Sequence, residues 1–460
     1  MLIERNQLAN GVRILTEKNP HVRSVSIGIW VAVGSRFESL ATNGMSHFIE
    51  HMVFKGTKTR SARAIAEAFD GIGGHVNAFT AKEYTCFYAK VLDEHTYVAL
   101  DILYDMFFHS TFAAEEIEKE KQVVIEEIRM VEDTPDDLVH ELLSQAALGN
   151  HPLGLPILGS VANVSSFTAE RLRQFMDAEY TPARTVITVV GNVPEGLDDY
   201  LAQKFGAFTA PEPESVGARR TVHGETDDGA ARAQVYGHDL SYDGTSHAPL
   251  NGRTNDYPGE RPPFRTGVEQ RVKATEQAHL CLSVPGLAVN DPYIYHLTLL
   301  SNIVGGSMSS RLFQEIREER GLAYSVFSYH TTYKDCGFFA IYAGTGAEQS
   351  ERVLALLFDI LRNVRTNGIT REELQKAKEQ LKGSFVLGME STANRMSRLG
   401  KNELMLQEHP SPDDVLAKID AIRWEDVIAL AERLFAQEVS FAIVSPNDKL
   451  PNTFRRDALV

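Results

Sequence analysis

Residues 61–91 read S-A-R-A-I-A-E-A-F-D-G-I-G-G-H-V-N-A-F-T-A-K-E-Y-T-C-F-Y-A-K-V, and residues 310–343 read S-R-L-F-Q-E-I-R-E-E-R-G-L-A-Y-S-V-F-S-Y-H-T-T-Y-K-D-C-G-F-F-A-I-Y-A. Each opens as a helical stretch and breaks at glycine, Gly71 to Gly74 in the first and Gly321 in the second. Each then runs on as strand, rich in aromatic and β-branched residues. Cys86 and Cys336 fall at matching places, roughly 250 residues apart, so the chain reads as an internal duplication.

Moving outward, further pieces pair. Glu115-Glu116-Ile117-Glu118-Lys119 matches Glu372-Glu373-Leu374-Gln375-Lys376, and each opens a long amphipathic helix. The helix start at Ser166–Glu170, before T-V-I-T-V-V-G-N, matches the start at Ile422–Asp426, before S-F-A-I-V-S-P. Both carry an acid in the first turn, where the helix dipole favours it. Short strands also begin at Val12 (V-R-I-L-T) and Val25 (V-S-I-G-I-W-V). Strands in hairpins followed by paired helices predict an α+β fold. Two homologous halves are expected, each an antiparallel-rich sheet with helices packed on one face, the two facing each other around a chamber. The boundaries are 1–212 for the first half, 266–450 for the second and 451–460 for a tail. The stretch 213–265, rich in Gly, Pro, Asp, Thr and Arg and without either period, reads as a linker with a long insertion. Its His223, His238 and His247 fit no metal spacing and are expected in solvent.

Composition narrows the function. With 43% apolar and 23% charged residues the chain is of the ordinary globular kind. The net charge of −16 argues against nucleic acid and against anionic membranes as partners. The three cysteines form no C-x-x-C pair and no disulfide framework. No apolar run is long enough to span a bilayer, and the N-terminal residues lack the pattern of a targeting segment. The expectation is a cytoplasmic protein.

Chemistry concentrates at His47-Phe48-Ile49-Glu50-His51. On a helix, residues four apart share a face with side chains about 6 Å apart, so His47 and His51 can grip one ion. Glu50 projects near them and can reach a water on that ion. This is the H-x-x-E-H order of the inverted zincins. Imidazole suits zinc, and a catalytic zinc takes three protein ligands and keeps one position for water. A third ligand is expected from another helix. Glu115–Glu132 is acidic and helical, with Glu120 and Glu127 two turns apart on one face and Glu126 about 100° away. Spacing alone does not choose among them.

In H-F-I-E-H, G-G-H-V-N-A-F-T and S-R-L-F-Q-E-I-R-E-E-R-G-L-A-Y-S-V, the chain resembles the family of pitrilysin, insulin-degrading enzyme and mitochondrial processing peptidase. The likeness spans nearly everything but 213–265, and the length resembles the processing-peptidase-like bacterial subfamily. The resemblance implies a zinc endopeptidase acting on peptides or extended unfolded segments, with one Zn²⁺ per chain. It implies Glu127, 76 residues after His51, as third ligand. It also implies Glu120 as the carboxylate behind the site and Glu50 as general base. Asn77, Ala78 and Phe79 would form an edge strand that takes the substrate peptide, and Arg317 with Tyr324 would reach the substrate carbonyl. The second half lacks the ligands, with Ser384 at the place of Glu127. The glycine stretch at 304–307 is short, so a self-sufficient homodimer is expected rather than a dependent subunit. The alternative is a non-catalytic structural or partner subunit of a processing-peptidase-like complex.

Overall fold

The computed structural model describes residues 3–209 and 261–460. Most of the expected 213–265 insertion, with its three histidines, lies outside the described residues. Six strands build the first sheet: β1 (Ile3–Gln7), β2 (Arg13–Lys18), β3 (Ser24–Val31), β4 (His75–Thr80), β5 (Thr85–Leu92) and β6 (Thr185–Gly191), in the order β1-β2-β6-β3-β5-β4. Five build the second: β7 (Val268–Val272), β8 (Gln277–Pro285), β9 (Ala323–Thr332), β10 (Gly337–Gly346) and β11 (Ser440–Ser445), in the order β7-β11-β8-β10-β9. Without β1, the first order becomes the second. In both, a single parallel pair (β2 with β6, β7 with β11) joins an otherwise antiparallel sheet. The repeat read from the sequence is thus a repeat of topology, and β4 and β9 are equivalent outermost strands.

The cysteine match is corrected. The turn after β4 closes with the Ala81 N–H donating to the Tyr84 carbonyl, and the turn after β9 with the Tyr333 N–H donating to the Cys336 carbonyl. Cys336 therefore occupies the position of Tyr84, and Cys86 that of Phe338. Both thiols are buried apolar fillers, and the similar flanking residues disguised a two-residue offset. The expected helix at 310–320 also forms, but its turns from Phe313 to Glu318 are wide π turns.

Each sheet carries its own half's helices on one face, as expected. The other face is covered too, by a helix from the opposite half. The helix Pro135–Leu148, which follows the acidic helix, lays Leu138, Leu142 and Ala147 on Cys281, Phe338 and Ala442 of the second sheet. Conversely, the helix Thr392–Met405 lays Met396, Leu399 and Leu404 on Leu15, Trp30 and Val186 of the first. This two-sided burial explains why β3 is buried along seven consecutive residues, where a one-faced strand would alternate. The crossing is close: a Cβ at Gly400 would stand 2.2 Å from the Trp30 ring, so only glycine fits.

Two buried ionic groups lock the exchange. Arg36 bridges Glu83 (2.8 Å) in the β4–β5 turn and Asp335 (2.6 Å) in the β9–β10 turn. Glu403, on the exchanged helix and fully buried, pairs with Arg5 (3.0 Å), Arg13 (3.1 Å) and His409 (2.7 Å). The expected tail is packed as well, with Leu459 only 1% exposed. No described helix is long and apolar enough to cross a membrane.

Burial would raise the Glu403 pKa, but the bonds from His409 and Arg5 and the charge of Arg13 take it down to about 2. A carboxylate depressed in the folded state adds stability above its ordinary pKa and loses it as pH falls towards the folded value. Glu403→Gln is therefore expected to lower stability at neutral pH by about 3 kcal/mol. The gap to the parent should close between about pH 5 and pH 2, as read from urea unfolding midpoints. Equal midpoints at neutral pH would contradict the role of this buried group.

Candidate metal centre

The site begins with a short helix, Met45–Val53, whose start is built by three residues. Gly44 caps it at φ 97°, a left-handed conformation natural to glycine. Glu38 accepts the Gly44 N–H (2.8 Å), the Ser46 N–H (2.6 Å) and an amide proton of Asn43 (3.2 Å). A carboxylate at a helix N-terminus satisfies donors the helix cannot and meets the positive end of its dipole. Phe48, Ile49 and Met52 anchor the apolar face in the first half's core. The opposite face carries His47 and His51 towards the acidic helix Ala114–Asp133.

There the ligand atoms converge. The Nε2 atoms of His47 and His51 lie 3.2 Å apart, and Glu127 Oε2 lies 3.7 Å from the first and 3.6 Å from the second. Around a tetrahedral zinc with bonds of about 2.0–2.2 Å, ligand atoms stand roughly 3.3–3.6 Å apart. The triangle and its two-nitrogen, one-oxygen donor set thus fit one such ion. Among the described residues this is the one group of three or more such side chains close enough to hold a metal. His47 and His51 are mostly buried, while Glu127 is 32% exposed, so the open side lies at the carboxylate.

The surrounding groups orient the ligands. Glu120 Oε1 stands 2.8 Å from His51 Nδ1, and Glu120 Oε2 stands 2.7 Å from Lys55 Nζ. An acceptor at Nδ1 sets the tautomer that leaves Nε2 free for a metal. Burial and the neighbouring His51 hold the pKa of His47 down to about 3 despite Glu120, so His47 is neutral and ready to ligate. Burial alone would lower the pKa of His51, but the Glu120 bond and the charges of Glu127 and Glu50 raise it. In Glu120 the partners His51 and Lys55 outweigh burial and lower the carboxyl pKa.

Glu50 ligates nothing in this triangle. Its Oε2 accepts the Thr80 hydroxyl (2.7 Å), and burial raises its pKa against that bond and the charge of His51. A carboxylate with a raised pKa beside a metal position is suited to exchange protons near neutrality. Thr80 ends β4, whose other rungs include Asn77 opposite Tyr88, Ala78 opposite Phe87 and Phe79 opposite Cys86. Phe79 turns its ring inward against Trp30, Tyr84 and Tyr88, and Ala78 is buried. As an outermost strand, β4 has one unpaired backbone edge, with the exposed side chains of His75 and Asn77 beside it and the Ala78 N–H donating to Asn77 Oδ1 (2.8 Å).

Sequence reading thus named five residues that the structure brings together: His47, Glu50, His51, Glu120 and Glu127. It missed three supports. Lys55 stands four residues after His51, two past the end of the helix, and that near-helical spacing was the available signal. Glu38 gave no signal because it reaches the helix start from a loop, and Thr80, although in the strand named from the sequence, meets Glu50 only through the tertiary fold. Arg317 and Tyr324 are not brought to the triangle. They meet each other, the Arg317 guanidinium 5.4 Å from the Tyr324 ring and 4.7 Å from that of Phe313, and Tyr324 is 76% exposed. Among the described residues neither has a bond or ring contact with the metal cluster. Within one chain they lie on the half without the ligands.

Residues 13–161 match the family described as Insulinase (Peptidase family M16), and residues 166–381 match the Peptidase M16 inactive domain. An uncharacterized zinc protease of Bacillus subtilis, YmxG, is 48% identical over 98% of this chain and 100% of its own length. An uncharacterized zinc protease of Streptomyces coelicolor is 41% identical over 96% of this chain and 90% of its own. In fold, the chain is similar to the crystal structure of a peptidase M16 inactive domain from Pseudomonas fluorescens, with a TM-score of 0.81 at 21% identity over 97% of this chain and 98% of that one. A protease from Helicobacter pylori gives 0.80 at 20% identity, over 97% and 100%. The segment that bears the triangle lies within the first of these matches, the second match carries none of its three residues, and the chain belongs to peptidase family M16.

Proposed function

We propose that the protein is a zinc-dependent endopeptidase that hydrolyses peptides or extended unfolded segments. The observation that carries this reading is the triangle of His47, His51 and Glu127 with Glu50 beside it. The names of the relatives support zinc as the ion. Bound zinc would polarise a water molecule and bring its pKa towards neutrality.

The chain's own groups then divide the work. The free edge of β4 receives the substrate as an added strand, through backbone hydrogen bonds that accept many sequences. Thr80 keeps Oε2 of Glu50 occupied, so a proton taken from water rests on Oε1. From there it passes to the leaving amine nitrogen. A structural subunit would need no base at this place, so Glu50 favours catalysis over the non-catalytic alternative.

Arg317 and Tyr324 enter through a second copy. A solvent-exposed phenol and a guanidinium, both on the half without ligands, suit stabilisation of the developing oxyanion in a partner's site. The protein then works as a homodimer, with the chamber formed between copies.

Glu50→Gln is expected to keep one zinc per chain while cleavage of a quenched peptide falls about 100-fold or more. His47→Ala should lose the zinc itself, measured by elemental analysis after dialysis. Full activity in Glu50→Gln would remove Glu50 from its role. The homodimer is tested by mixing. Glu50→Gln and Tyr324→Phe are each expected to be poor alone, and co-refolded together they should recover activity, since one site of the mixed dimer has both groups. Should the mixture show no more activity than the two variants summed, the shared site is wrong.

A further inference from the structure

Three carboxylates, Glu50, Glu120 and Glu127, gather around two imidazoles in a largely buried place, and the described ion pairs give this cluster one lysine, Lys55. We propose that Lys55 is a positioning residue for metal binding: by holding one oxygen of Glu120, it aims the other at His51 and so fixes the lone pair that His51 presents to the ion. This rests on the metal reading above and adds a residue to it.

The geometry is a relay with one partner per atom. Lys55 Nζ meets Glu120 Oε2 at 2.7 Å, and Glu120 Oε1 meets His51 Nδ1 at 2.8 Å. Glu120 is 3% exposed, so water does not replace a missing partner readily. The Lys55 side chain is 31% exposed, so its loss opens no cavity in the core. Its backbone is held as well: the helix ends at Val53, and the Lys55 N–H still donates to the Met52 carbonyl (3.1 Å). The histidine helix and the acidic helix are therefore joined on two levels, by Lys55 with Glu120 and, seven residues on, by the histidines with Glu127.

With methionine at 55, Oε2 of Glu120 is a buried acceptor with no donor. It then swings to find one. That movement weakens the bond that orients His51. Charge balance points the same way, since a divalent ion and Lys55 together neutralise the three carboxylates.

The test uses the full-length chain and zinc alone, titrated in competition with a chromophoric chelator. Lys55→Met is expected to raise the zinc Kd about 10-fold, whereas Lys55→Arg, which keeps the cation, stays within about twofold of the parent. In a Glu120→Gln background the effect of Lys55→Met should vanish, because the relay is already cut. The midpoint of zinc-free Lys55→Met is expected to fall, because a buried acceptor has lost its donor, so zinc affinities are compared well below the midpoints, where every variant is folded. Zinc affinity unchanged in Lys55→Met overturns the proposal, and so does an undiminished loss in the Glu120→Gln background. His51→Ala distinguishes the two levels of inference. If it binds zinc like the parent, the metal reading itself fails. If it loses zinc while Lys55→Met does not, only the role of Lys55 fails.

Discussion

Two imidazole nitrogens 3.2 Å apart, with a carboxylate oxygen within 3.7 Å of both, set the terms for the rest of this protein. Lone pairs that face one another repel unless a cation or a proton lies between them. Holding them there takes rigid elements on both sides. The histidine helix is fixed at its start by the Glu38 carboxylate and along its length by Phe48, Ile49 and Met52 in the core. The acidic helix is fixed by Ile117 and Val124, which are buried on the face away from solvent. The site is precise because it stands on two helices packed into one core, with no ligand carried by a loop.

The second half supports this centre without entering it. Its helix Thr392–Met405 covers the back of the sheet whose edge strand lies beside Glu50, and the first half returns a helix to the second sheet. Exchange of this kind makes the halves inseparable, since each sheet would otherwise expose an apolar face. Arg36 adds a finer link, because it ties the turn of the β4 hairpin to the turn of the β9 hairpin. The turn after the strand that ends at Thr80 and the turn after the strand that bears Tyr324 are thus tied to each other.

The two halves are one topology used in two ways. Apart from β1 they keep the same strand order, and by the sequence repeat Ser384 stands where the acidic helix has Glu127. A half without ligands can present other chemistry on the same frame. Here that is the wide-turned helix of Arg317 leading into the exposed Tyr324.

What could be read without coordinates was whatever depends on neighbours along the chain. The H-x-x-E-H spacing puts His47 and His51 on one helical face, because the helical repeat is a local property. The duplication could be read because each hairpin and each helix start has its own local pattern. Glu127 needed the family resemblance, since one acidic face offers several equivalent carboxylates. Tertiary structure alone decided the remainder. The exchanged helices, the two-residue offset of Cys336, and the caps and clamps from Glu38, Thr80 and Lys55 all depend on contacts that the local pattern of the chain does not encode. Such contacts are chosen by packing and burial, which leave no period in the chain that encodes them.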